Sequence, residues 1–152
     1  MIYNFFSKAS NSFSPEFLHK VFLTSLKIGF FKKKKKFENL EFNLFDSKFI
    51  NPIGLAAGFD KNAEAIKGEF DLGFGFIELG TVTPMKQLGN PKPRVFKIPE
   101  YEAVIQRLGF NNKGLEEFLN NLKYYREKNK SNIIGANIGK NKNSTNLYSD
   151  YQ

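Results

Sequence analysis

The chain has 152 residues, 41% of them hydrophobic and 25% charged, which suits one globular domain with a core of its own. It contains no cysteine and one histidine, His19, so a disulfide framework, a thiolate nucleophile and a zinc site of His and Cys are excluded, and no clustered acidic motif suggests another metal. The charge of +8 is lopsided: residues 1–36 carry eight Lys or Arg against one Glu, residues 37–152 fifteen against fourteen Asp or Glu, which leaves no basic face for a nucleic-acid partner.

Residues 1–39 form a greasy, basic N-terminal arm. Ser14 is placed to cap a helix, Pro15 suits its first turn, and Glu16 complements its N-terminus. Phe17, Leu18, Val21, Phe22, Leu26 and Phe30 recur at helical spacing until Gly29 and Lys32–Lys36 end the pattern. The run is too short and too often charged to span a bilayer, and it lacks the plan of a cleaved signal peptide. Two readings stand: a helix packed on the domain, or an amphipathic helix lying on an anionic membrane surface with the lysines at the headgroups. Eleven of the eighteen Phe fall in residues 1–49.

Residues 40–152 read as an α/β unit. Residues 40–50 alternate as a short strand or hairpin. Ile53–Ala57 is a buried strand, Asn62–Phe70 a short helix, and Gly75–Leu79 a second strand. Lys113–Lys128 is a helix with Leu115, Phe118, Leu119, Leu122 and Tyr125 on one face, and Ile133–Ile138 is a third strand. The order β-α-β-α-β predicts parallel strands with crossovers.

All three strands run into small or polar residues: Gly58-Phe59-Asp60-Lys61, Gly80-Thr81, and Asn137-Ile138-Gly139-Lys140. Ligands in parallel α/β folds bind at the C-terminal strand ends. Lys61, Thr81 and Asn137 are therefore expected to face one site, with Lys61 aimed at an anionic or electron-rich ligand. The plainer alternative makes Asp60 and Lys61 ordinary loop charges. Gly73-Phe74-Gly75 precedes a strand and fails the dinucleotide pattern, and Gly135–Lys140 is one residue short of a phosphate-binding loop.

The segments NPIGLAAGFDKN, GFGFIELGTVTP, GNPKPRVFKIPE, RLGFNNKG and NIGKNK, in this order from Asn51 to Lys142, resemble motifs of the dihydroorotate dehydrogenase family, in its membrane-associated, quinone-using class; SPEFLH at Ser14–His19 is similar to that class's N-terminal helix. The resemblance implies a (β/α)8 TIM barrel with FMN at the strand ends, oxidation of dihydroorotate to orotate in pyrimidine biosynthesis, and reoxidation by ubiquinone or menaquinone. It implies flavin contacts at Ala57, Gly58, Phe59, Asp60, Lys61, Thr81 and Asn137. Substrate contacts fall at Lys61, Gln106, Arg107, Leu108, Gly109 and Phe110, and the quinone tunnel at His19 and Lys97. The family usually has Asn where Gln106 stands, and many members have Arg where Lys97 stands.

A full barrel takes about 250 residues, and about three of its eight strands are present here. The family's catalytic serine, a second flavin-contacting lysine and the phosphate loops fall beyond residue 152. The expectation is therefore a partial barrel that is inactive alone, either the front of a longer enzyme or a non-catalytic membrane-associated subunit that needs a second chain. The resemblance and the absence of an Arg- and Ser-rich presequence place it peripherally on the cytoplasmic side of a cell inner membrane.

Overall fold

The computed structural model describes residues 13–31 and 39–152; Lys32–Lys36, on which the membrane reading leaned, lie outside the described residues. Helix α1 spans Pro15–Lys27, and Ser14 caps it by accepting a hydrogen bond from the Phe17 amide at 3.3 Å. A hairpin follows, β1 (Phe42–Leu44) and β2 (Ser47–Phe49). Its two-residue turn, Phe45-Asp46, has both φ angles positive, the form whose twist matches paired strands.

The centre is a three-stranded parallel sheet of mixed α/β type, β3 (Gly54–Leu55), β4 (Phe76–Val82) and β7 (Ile133–Ile138), in that spatial order. Helix α2 (Ile66–Asp71) joins the first two strands and helix α3 (Leu115–Lys128) precedes the third. The expected strand order and parallel pairing are present. What periodicity missed is a second hairpin, β5 (Val95–Ile98) and β6 (Ala103–Gln106), between β4 and α3. Its apolar residues do not alternate cleanly between buried and exposed, because the hairpin stands outside the main core.

Strand geometry sends alternate side chains to opposite faces. Ile77 and Leu79 meet Ile66, Phe118 and Tyr125 on the helix side. The pairing of β4 with β7 shifts between Gly80 and Val82, and Val82 also joins this core. Burying such side chains contributes on the order of 1.5–3 kcal/mol each. Phe118 and Tyr125 of the expected α3 face are buried, Leu122 packs at the core's edge, and Leu115 and Leu119 are largely exposed. At the opposite end of β4, Phe42 stacks on Phe49, which meets Phe76 edge to face. Only glycine fits at position 54, because a Cβ there would lie 2.2 Å from the Phe76 ring.

Two expected boundaries move for stated reasons. The strand from Ile53 pairs only over Gly54–Leu55, since the chain then lifts away and the Gly58 amide donates to Gly80 O at 2.7 Å. The helix expected from Asn62 starts at Ile66. The Asp60 carboxylate captures the amides of Asn62 (3.1 Å) and Ala65 (2.8 Å), and Ala63 adopts φ +58, so residues 60–65 form a turn.

Helix α1 is anchored at three points. Arg94, just before β5, grips Glu16, the His19 Nε2 donates to Phe59 O at 2.7 Å, and Leu26, 1% exposed, seats on α2. The last contact is backbone-close: a Cβ on Gly68 would lie 2.4 Å from Leu26 O. Much of the apolar spacing read from the sequence points the other way, with Phe17 and Val21 about half exposed.

Two asparagines tie the loops that leave the strands. Asn112, buried, accepts from the Gly114 amide (2.8 Å) and donates to Thr83 Oγ1 and Phe110 O (both 2.8 Å). Asn141 accepts from the Met85 amide (2.9 Å) and donates to Met85 O (2.7 Å), Thr83 Oγ1 and Gln87 Oε1 (both 3.1 Å). Buried polar groups that lose a partner cost about 1–3 kcal/mol. Asn112→Ala is accordingly expected to lose on the order of that amount in urea unfolding; no loss would show the network to be dispensable.

Glu69 on α2 is fully buried, and among the described residues neither carboxylate oxygen has a hydrogen-bond partner. Burial, reinforced by the nearby Asp60 charge, raises its pKa to about 8. A carboxyl whose folded pKa is raised costs nothing below the unfolded value of 4.5, and its penalty grows as pH rises to about 8. Glu69→Leu is therefore expected to raise Tm by an increment that widens from pH 5 to pH 8 and then levels off. Melts at pH 5, 7 and 9 check this; a gap independent of pH would contradict it.

Candidate functional site

The C-terminal ends of β3, β4 and β7 come together through backbone contacts that only small residues permit. Gly80, φ +111, has no room for a side chain, since a Cβ would lie 2.4 Å from Asn137 O. Its carbonyl accepts from Gly58 N, and its amide donates to Asp60 O at 3.0 Å. The Gly58–Lys61 turn is thus stapled across the end of β4.

Thr81 and Asn137 meet as expected: Thr81 Oγ1 donates to Asn137 Oδ1 at 2.6 Å, and Asn137 Nδ2 donates to Glu78 Oε1 at 2.9 Å. Lys61 makes a different contact. Its ammonium bends back to Gly58 O at 2.5 Å and lines a cavity of about 460 Å³ between α1 and β5. Gly58, Phe59, His19, Glu16, Arg94 and Asn111 share that lining, while Thr81 and Asn137 do not. Thr81 and Asn137 thus hold each other, while Lys61 is held by the Gly58 carbonyl.

Burial, with the Arg94 charge beside it, pulls the Lys61 pKa below its usual value. Gly58, φ +108, is exposed with nothing within 4 Å of where a Cβ would stand. Asn111 Oδ1 is buried and has no hydrogen-bond partner among the described residues. An open backbone ledge, a partly desolvated cation and an orphaned amide oxygen together suit a flat ligand with anionic and hydrogen-bonding edges.

The other expected site residues sort as follows. The Asp60 carboxylate is turned inward, 1% exposed, onto two amides of its own loop, so its side chain braces the turn and does not reach the cavity. Ala57 is half-buried behind Gly58, and the Phe59 ring meets His19 edge to face. Gln106 spends its amide oxygen on the Leu108 amide at 3.0 Å. Of Gln106–Phe110 only Leu108 lines the cavity. Gly109 and Phe110 both take positive φ, and their carbonyls accept from Gln87 Nε2. Lys97 stands on β5 opposite Val104 and does not line the cavity, whereas Lys92 and Arg94, just before that strand, do. Arg94, Glu16 and Asn111 were not found from sequence. NNKG signals a turn at 111–114 but cannot show which Asn turns inward.

Residues 39–152 match the family model described as dihydroorotate dehydrogenase. The chain is 47% identical over 141 residues to a protein named dihydroorotate dehydrogenase (quinone) from Marinobacter nauticus, covering 90% of this chain and 41% of that one. It is 54% identical over 106 residues to one of the same name from Xanthomonas euvesicatoria pv. vesicatoria, covering 68% and 30%. The ligand-free structure of the Eimeria tenella enzyme superposes with a TM-score of 0.82 at 40% identity, over 90% of this chain and 40% of that one. The chain thus spans about two fifths of the length of the Marinobacter relative and of the Eimeria structure. This sequence belongs to the dihydroorotate dehydrogenase family.

Proposed function

We propose that these residues form the first three strands of a (β/α)8 barrel that oxidises dihydroorotate to orotate and passes the electrons through FMN to ubiquinone or menaquinone. The observation that carries this reading is Lys61, a half-buried cation beside the open Gly58 ledge, in a cavity whose far wall is α1. The residues present fit one side of FMN: the Gly58 backbone admits a flat ring, and Lys61, Asn111, Thr81 and Asn137 offer charge and hydrogen bonds at its edges. When bound, FMN supplies the hydride acceptor.

The chain's own residues do the rest. Lys61 favours negative charge nearby and anchors the substrate carboxylate. Thr81 and Asn137 hold each other's side chains fixed, so that they meet a ligand already oriented. Gln106–Phe110 forms the substrate-contacting loop, pinned from beneath by Gln87 and Asn112. The quinone enters where Pro15, His19 and Leu23 of α1 face Val95. The catalytic serine and the phosphate-binding residues come from the remaining barrel, so the 152 residues alone do not turn over.

The test is a chimera that continues this chain with the remaining barrel of the Marinobacter relative. Dihydroorotate-dependent quinone reduction is expected from the chimera and not from the 152 residues alone. Lys61→Ala in the chimera is expected to weaken FMN or orotate binding at least tenfold, the equivalent of about 1.4 kcal/mol. A chimera that binds FMN but ignores dihydroorotate would sink the substrate assignment, and turnover by the 152 residues would sink the claim that they are incomplete.

The arm lies on an anionic membrane surface, peripherally, on the cytoplasmic side of the inner membrane. Supporting this are the exposed Phe13, Phe17, Val21, Ile28 and Phe30, and a lysine run that follows them in the sequence. Among the described residues no helix is long and apolar enough to cross a membrane. Co-sedimentation is expected with vesicles containing anionic lipid and not with purely zwitterionic ones. Replacing Lys32–Lys36 by Gln should weaken it more than tenfold, given roughly 1 kcal/mol for each lysine near the surface.

A further inference from the structure

The cavity wall made by Glu16 and Arg94 has no part in the chemistry above. Arg94 is 6% exposed, and all three guanidinium nitrogens are engaged. Nε and Nη2 reach Glu16 Oε1 at 2.8 and 2.7 Å, and Nη1 donates to Leu88 O at 2.6 Å and Asn90 O at 3.0 Å. A rigid planar fork holds partners from two segments at once in a fixed geometry, whereas a lysine ammonium is a point charge on a flexible stem. Lys92 stands 3.5 Å from the other Glu16 oxygen. Burial alone would raise the Glu16 pKa, but Arg94 and Lys92 outweigh it and hold the carboxyl below its ordinary range.

The same residues are stitched to the Gln106–Phe110 loop. Arg94 O accepts from the Arg107 amide at 2.8 Å, the Asn90 amide donates to Leu108 O at 3.0 Å, and Asn90 Nδ2 donates to Arg107 O at 2.8 Å. Gly89, φ +76, leaves no space between them: a Cβ there would lie 2.2 Å from Leu108 O and 2.8 Å from Arg94 Nη1. An unbroken path of bonds therefore runs from the first turn of α1, through one guanidinium, to the loop.

We infer that Arg94 is a positioning residue that makes docking of the arm helix and ordering of the Gln106–Phe110 loop one coupled event. The loop's role toward substrate rests on the function proposed above, whereas the coupling is a property of the fold. Coupling of this kind is reciprocal. An arm seated against its quinone-bearing surface firms the substrate loop, and an occupied loop firms the arm.

Amide hydrogen exchange tests this without flavin or turnover, so failure of the enzymatic reading leaves the result interpretable. Glu16→Gln removes the charge from a helix turn outside the core. Exchange is expected to rise at least fivefold both at the amides of residues 17–19 and at those of Arg107 and Leu108, while β4 and β7 stay unchanged. Glu16→Asp keeps the charge but shortens its reach, and is expected to give the same paired response; it serves as the test should Glu16→Gln loosen the whole sheet. Acceleration in the arm alone, in the loop alone, or in neither would overturn the coupling.

Discussion

The Asp60 carboxylate is the contact from which the site is built. It is almost wholly buried and hydrogen-bonds the amides of Asn62 and Ala65, while its backbone carbonyl receives the Gly80 amide. Those bonds bend the chain off β3, hold the Gly58–Lys61 turn over the end of β4, and delay α2 until Ile66. They aim Lys61 into the cavity. A carboxylate that accepts backbone N–H bonds is well solvated by protein, which is what allows a charge to sit this deep. Glu69 lies near that charge without comparable partners, and its raised pKa is the electrostatic consequence.

Around this turn the molecule separates tasks by layer. The helix face of the sheet is apolar and closely packed, so the strands give a rigid platform. The strand ends are glycine and short polar residues, where backbone can approach a ligand. The loops beyond are tied by asparagine side chains, which can donate and accept at once. Asn112 and Asn141 each join segments far apart in sequence, at the cost of requiring every partner to be present.

The arm helix forms one wall of the site. Its inner edge supplies Glu16, His19 and Leu23 to the cavity lining, while Phe17 and Val21 face outward. One short helix thus presents both polar and apolar residues to the cavity and leaves Phe17 and Val21 on its other side. Of the two readings of the arm, the structure shows the helix packed on the domain, with Phe17 and Val21 about half exposed on its outer side.

Helix and strand periodicity sufficed for the parallel β-α-β-α-β frame, the Ser14 cap and the α3 core face, because those depend on spacing within one segment. The motif chain from Asn51 to Lys142 sufficed for the family. Spacing could not show that Asp60 turns inward, that Gln106 bonds its own loop, or that Arg94 and not Lys97 lines the cavity. Charged residues on neighbouring positions of a hairpin look alike in sequence, and which of them is buried depends on what packs against the strand. For Arg94 that partner is Glu16, 78 residues earlier, and only the tertiary structure could bring a guanidinium on one element to a carboxylate on another.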